Sequence, residues 1–204
     1  MVRTYRSALR EEQARQTRSA VLDAAGRCFL REGYAATTMK AIAAEAGVSV
    51  QTVFSQGAKS ALLLAAVDRS LVGDDVEVPL ARREGFSRLV EESDREAKLE
   101  QLRRVALEVL PMAAPMMWVF REAAGADPEI AEAWTEYERR RFTDYRAVVE
   151  SFGPWLRMDL ARAVDLYWAL ASFEAVDKLL RGRGWTIEAY ADWVVELVDR
   201  LLLD

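Results

Sequence analysis

The sequence predicts an all-α protein, with an N-terminal three-helix head on a C-terminal helical bundle and about nine helices in all. Three observations predict it. The 204 residues hold only 10 glycines and 5 prolines, while alanine, leucine, arginine and glutamate, all strong helix formers, recur throughout. Apolar residues return at spacings of three and four along most of the chain. The stretch Thr38 to Lys59, TMKAIAAEAGVSVQTVFSQGAK, reads as a short helix, a glycine turn and a second short helix with a polar start. That is the build of a helix-turn-helix, which lays one helix in the DNA major groove.

The elements follow in order. Residues 1–10 read as a polar arm with Arg3, Arg6 and Arg10. A long helix is predicted from about Glu11 to Arg31, because Val21, Ala24, Ala25, Cys28 and Phe29 fall on one face. Gly33 stops it. Thr38 caps the next helix, which buries Ile42 and Ala43 and ends near Ala46. Gly47 makes the turn, and Ser49 caps the third helix, with Val50, Val53 and Phe54 as candidates to pack inward. A fourth helix begins near Lys59 and carries Leu62, Leu63, Ala66 and Val67. The segment Val72 to Gly85 reads as a loop or a broken helix. Leu99 to Leu110 form an amphipathic helix closed by Pro111, and Pro115 starts another. Asp127-Pro128 is a strong helix start. That helix runs to about Phe152, with Ile130, Trp134, Tyr137, Tyr145 and Val148 on one side, until Gly153-Pro154 breaks it. Two helices remain, about Leu156 to Leu180 and about Ile187 to Leu203, the last capped by Thr186. The expected domains are 1–58, the DNA-binding head with its arm, and 59–204, the ligand-binding and dimerisation body.

Composition narrows the function. There is no histidine, so the commonest general base and metal ligand are missing, and no enzyme activity, cofactor or metal is expected. The single cysteine, Cys28, sits on an apolar face and reads as a small buried hydrophobe rather than a reactive thiol. Glu91-Glu92-Ser93-Asp94 and Asp74-Asp75 read as solvated surface, not a metal site. No stretch approaches the ~20 apolar residues of a membrane span, and the N-terminus lacks the apolar run of a signal peptide. A cytoplasmic location is expected. The net charge of −5 is uneven: residues 1–60 carry a net +4 and the remainder −9. A basic head on an acidic body suits a DNA reader with a control domain.

An ordered set of residues over about 17–67 resembles the tetracycline-repressor (TetR) family of bacterial transcription regulators. It comprises Ala24-Ala25 with Phe29, Gly33-Tyr34, Thr37-Thr38, Ile42-Ala43, Ala46-Gly47-Val48-Ser49, and Lys59 with Leu62. The resemblance implies a homodimer, a three-helix DNA-binding head, a helical ligand-binding body, and repression. The chain departs from the family pattern after Phe54. The family has a tyrosine there, a second aromatic further on, and one more residue before the lysine. Here Ser55-Gln56-Gly57-Ala58 lead straight to Lys59, and Ala58 stands where a capping residue is usual.

Candidate sites follow. For DNA, Gln51, Thr52, Ser55 and Gln56 are polar at positions facing the groove, where glutamine can pair with adenine and hydroxyls with base edges or phosphate. Phe54 lies among them. Thr38, Lys59 and the arm arginines suit phosphate contacts, although the arm can equally be a plain tail, and Ser49 at the start of the third helix is counted with the DNA-binding set. For a ligand, Met112, Met116, Trp118, Trp134, Tyr137 and Trp168 suit a small apolar effector between bundle helices, or an ordinary core. For a dimer, Leu160, Val164, Trp168 and Ala171 with Trp193, Val194, Leu197 and Leu201 form wide apolar faces on the last two helices. Pairing two helices from each chain would bury the excess. The expected function is a ligand-responsive repressor that binds a palindromic double-stranded DNA operator as a dimer. The alternative is a small-molecule-binding helical module with a weakened DNA-binding head.

Overall fold

A computed structural model describes residues 2–72 and 84–204, with side chains at 10–71 and 85–204. It is all-α: no strand occurs among the described residues, only an isolated bridge between Leu156 and Leu203. The helices are α1 (Val2–Ala36), α2 (Met39–Ala46), α3 (Val50–Gln56), α4 (Lys59–Val72), α5 (Glu84–Glu91), α6 (Arg95–Ala124), α7 (Pro128–Glu150), α8 (Leu160–Leu170), α9 (Phe173–Arg183) and α10 (Ile187–Leu197). A 3-10 turn, Gly153–Trp155, follows α7, and a π turn, Val198–Leu202, follows α10.

The chain forms two compact units. One gathers α1 to α4 with Val119–Ala133, the end of α6 and the start of α7. The other gathers α5, α6 up to Trp118, and Trp134–Asp204. In the first, Val21, Leu22, Ala25, Cys28 and Phe29 of α1 are buried with Ile42, Val53, Leu62, Leu63 and Val67. Helices α2 and α4 both pack on α1, and α3 packs on α2. Cys28 is fully buried, and burial pushes its thiol up, as a small hydrophobe in a core should be. In the second unit, Leu99, Leu102, Val148, Val149, Val164, Tyr167, Val176, Tyr190, Val194 and Leu197 share one core.

The structure corrects several boundaries. Residues 2–10 continue α1 rather than forming an arm, because VRTYRSALR holds no glycine or proline to break a helix. The side chains of Arg3 and Arg6 lie outside the described residues, as do Asp74, Asp75 and most of the segment between Val72 and Gly85. Helix α5 was not expected. Pro111 and Pro115 sit inside α6 instead of dividing it. Each removes one backbone donor, and burial of Leu110, Ala113, Met116 and Met117 along that helix carries it through. The single helix expected from Leu156 to Leu180 is two. Ala171 leaves helical geometry, the buried Ser172 caps α9 through Ala175 N, and the Tyr145 hydroxyl donates to the Ala171 carbonyl at 2.7 Å. Both broken ends of the ladder are thus satisfied. Glu92 and Asp94 accept from backbone N–H groups of Ser93, Asp94 and Ala97 at the start of α6.

Candidate functional site

The helix-turn-helix is built as its sequence prescribes. Thr38 Oγ1 accepts from Ala41 N at 3.1 Å and caps α2. Gly47 takes the left-handed conformation (φ 67°, ψ 30°), which a side chain would disfavour. That turn lets Gly47 and Val48 donate back to the Ala44 and Ala43 carbonyls. Ser49 Oγ accepts from Thr52 N at 3.0 Å and lies 2.8 Å from Thr52 Oγ1. Of the three residues expected to pack inward from α3, Val53 alone is buried; Val50 is exposed and Phe54 is 60% exposed. Spacing explains the outcome. Gln51, Phe54 and Ser55 fall at i, i+3 and i+4 on one helical face, opposite Val53, and all three are exposed. Thr52 and Gln56 are half-buried. Ser55 Oγ donates to the Thr52 carbonyl, and Gln56 Nε2 reaches Ser55 Oγ at 3.3 Å. Gln51, Phe54 and Ser55 are therefore the outward groups of the predicted set on α3.

The shortened turn closes on Gly57. Its φ of 141° and ψ of 176° lie in a region essentially restricted to glycine. A Cβ there would also meet Ala61 Cβ at 3.2 Å. Lys59 then starts α4, and its ammonium turns inward. It donates to the carbonyls of Tyr34 (2.9 Å) and Thr37 (3.1 Å) and stands 4.2 Å from the Tyr34 ring centroid. Two of its three donors are thus committed within the head, leaving one for a phosphate.

Sequence reasoning missed a pair of polar contacts beside this lysine, in the same compact unit. Tyr34 donates its hydroxyl to Asp127 Oδ2 at 2.8 Å, and the buried Ser60 donates to Glu129 Oε2 at 2.7 Å. Asp127 also caps α7, accepting from Glu129 N and Ile130 N. The Tyr34 hydrogen bond holds the Asp127 carboxyl below its usual range, and burial together with Asp127 pushes the Tyr34 phenol up. The Asp-Pro helix start was legible, but its tyrosine partner, 93 residues away, was not.

In the second unit the predicted ligand residues divide. Met112 is exposed and Met116 is core. Trp118 lies under the Arg181 guanidinium, 4.8 Å from ring centroid to Cζ. Trp134 packs on Tyr137 at 5.9 Å. Trp168 packs on Phe142 and on Arg141, a buried arginine not expected from the sequence. The predicted dimer residues divide too. Val164, Val194 and Leu197 are buried in the chain's own core, so their apolar surface is already used within one chain. Leu160, Trp168, Ala171 and Trp193 keep part of theirs accessible, and Leu201 is exposed.

Residues 21–66 match the family model for bacterial regulatory proteins of the tetR family, a span that runs from α1 through the helix-turn-helix into α4. Among curated proteins none matches the sequence. Solved structures share the fold over nearly the whole chain. NalD, the secondary repressor of the MexAB-OprM multidrug efflux pump in Pseudomonas aeruginosa, aligns with TM-score 0.66 at 20% identity, covering 94% of this chain and 98% of its own. The complex of SmeT with triclosan aligns with TM-score 0.69 at 18% identity, covering 93% and 92%; SmeT is the repressor of the Stenotrophomonas maltophilia efflux pump SmeDEF. A proposed TetR-family transcriptional regulator from Mesorhizobium loti aligns with TM-score 0.69 at 20% identity, covering 94% and 98%. Residues 21–66 thus carry the likeness to the tetR family of bacterial regulatory proteins, and the chain around them has the fold of these solved structures.

Proposed function

We propose that this chain is a ligand-responsive transcriptional repressor that binds a palindromic operator as a homodimer, in the cytoplasm. Residues 1–58 read the DNA, and 59–204 bind the effector and pair with a second copy. The observation that carries the reading is the outward face of α3, where Gln51, Phe54 and Ser55 are exposed beside the buried anchor Val53. An amide, an aromatic ring and a hydroxyl on one face match base-edge chemistry: glutamine suits adenine, and phenylalanine suits the thymine methyl group. Thr38 and Ser49, both exposed at helix N-termini, are placed for phosphates with the neighbouring backbone N–H groups. Two heads would sit about 34–36 Å apart, or a multiple of that, on one face of the duplex. The accessible parts of Leu160, Trp168, Ala171, Trp193 and Leu201 supply the dimer surface. An effector with an apolar body binds among the bundle helices and favours a conformation whose head spacing no longer fits the operator.

A gel shift against the protein's own upstream region tests the function. A sequence-selective complex that weakens steeply with salt is the expected result. Weak binding that ignores sequence would leave a small-molecule-binding module with a weakened head, and the repressor would be abandoned. Gln51→Ala should relax preference at one base position per half-site, at a cost of about 1–3 kcal/mol on the preferred sequence. Parent-like selectivity in that variant would remove Gln51 from the groove.

A further inference from the structure

Arg141 lies on α7 with only 5% of its side chain exposed, and its Nη2 donates to Glu138 Oε2 at 2.9 Å. Its Nε and Nη1 are buried without a hydrogen-bond partner. The rings of Tyr145, Trp168 and Phe173 surround the guanidinium, with centroids 5.4, 5.5 and 5.8 Å from Cζ. Two more buried donors lack partners in this part of the bundle, Trp168 Nε1 and the hydroxyl of Tyr190, a residue 2% exposed on α10. Tyr190 and Arg141 are close enough to interact electrostatically, as are Tyr190 and Tyr145. Burial pushes the Tyr190 phenol up, so it keeps its proton and can donate.

Buried donors are nearly always paired, and one left unpaired carries its full desolvation penalty. Here three side chains from three helices leave donors unused around a single cation. The groups that complete such a set are acceptors. A ligand cation would meet Arg141 at short range, on ring faces the guanidinium already covers. A purely apolar ligand would leave every donor unpaired. An oxyanion answers both the charge and the hydrogen bonds. The carboxylates of Glu138 and Glu174 also act on Arg141, so one added negative charge suits the cluster better than several.

We propose that Arg141, Trp168 and Tyr190 form the acid-recognising end of the effector site, and that the effector is a monocarboxylate on an apolar or aromatic body. This rests on the bundle being the effector-binding unit. The rings of Tyr145 and Phe173 line the same place and would pack against the apolar body.

The test uses the full-length protein and matched probes: indole-3-acetate and decanoate, their primary amides, and the corresponding amines, tryptamine and decylamine. Affinity is read by tryptophan fluorescence and by thermal shift. The carboxylates should bind at least about tenfold more tightly than their amides and amines, as a charge-assisted hydrogen bond predicts. Tyr190→Phe and Trp168→Phe keep an aromatic ring and remove a donor. Each should weaken the carboxylates about tenfold and the amides, whose neutral carbonyl accepts more weakly, by less, with Tyr190→Phe folding as stably as the parent. Arg141→Met should abolish the preference for the acid. Amides or amines that bind as well as the acids overturn the proposal while leaving the effector-binding body intact. A library in which no acid, amide or amine binds the protein overturns both. Carboxylate binding that is unchanged in Tyr190→Phe and Trp168→Phe places the acid elsewhere and overturns the assignment.

Discussion

The ammonium of Lys59 donates to the Tyr34 and Thr37 carbonyls and covers the Tyr34 ring, while its sequence position suggests a phosphate contact. The two roles predict different variants. Lys59→Met should lose about 1.5–3 kcal/mol of stability in the N-terminal unit, the usual worth of hydrogen bonds from a charged donor. A residue that only touched phosphate would leave the melting temperature alone and lower the salt slope of operator binding by about one. Thermal unfolding beside a salt titration separates them, and a parent-like melting temperature would refute the clamp. Asp127 gives a pH signature. Its folded pKa lies below the ordinary value because of the Tyr34 hydrogen bond. Its contribution is therefore complete above the ordinary value and is lost as pH falls through the lower folded one, below about pH 4. Asp127→Asn should make the acid-side fall of the melting temperature shallower than in the parent; an equal slope in the variant would show that another carboxylate dominates. Legibility differs sharply among single residues. Thr38, Gly47 and Ser49 could be read because capping and turn chemistry act within three residues. Arg141 could have been read too. Trp134, Tyr137, Tyr145 and Val148 follow helical spacing, and Arg141 falls at the gap in that stripe. A charge on an apolar face is the observation that deserves explanation. Tyr34 with Asp127 had no such local mark.

At the scale of elements, boundaries were legible where one residue decides them and obscure where packing decides. Helices α2, α3 and α4 begin where their capping or turn residues place them. Pro111 was expected to end one helix and Pro115 to start the next, yet α6 runs through both. A proline's local penalty of about 3 kcal/mol is outweighed when the flanking turns bury several large side chains. The α8–α9 break went unseen because Ala171 and Ser172 carry no proline or glycine signal, and the Tyr145 hydroxyl that satisfies Ala171 comes from another helix. The turn between α3 and α4 is the reverse case. It closes on Gly57, whose backbone conformation makes so tight a turn possible. Gly57→Ala should destabilise the head by about 1–3 kcal/mol, since the glycine-only conformation and the approach to Ala61 act together. Operator affinity should fall with it, because the same turn aims Phe54 and Ser55. A variant that melts and binds like the parent would mean that the turn relaxes freely and does not set the pose of α3.

At the scale of the whole molecule, the question is how a ligand in the bundle could reach α3. Helices α6 and α7 each belong to both compact units, and their junction, Val119–Ala133, packs with α1 to α4. Two polar contacts fasten that junction: Tyr34 to Asp127 near the end of α1, and Ser60 to Glu129 in the first turn of α4. Lys59 lies between them in the chain and grips the Tyr34 backbone. A displacement of the α6–α7 junction would thus pull on the end of α1 and the start of α4, the two segments that bracket the helix-turn-helix. Energetic coupling between distant sites is typically 1–3 kcal/mol, comparable to one or two hydrogen bonds to a carboxylate. Tyr34→Phe combined with Ser60→Ala removes both contacts and keeps the Tyr34 ring and the Lys59 clamp. Operator affinity without effector should stay within about threefold of the parent. The loss of affinity caused by a compound that releases the parent from its operator should shrink about tenfold, the equivalent of roughly 1.4 kcal/mol of coupling. Titrating operator with and without that compound, for parent and double variant, reads both quantities in one experiment. If the double variant releases its operator as fully as the parent, the signal travels by another route, and these two contacts only brace the head.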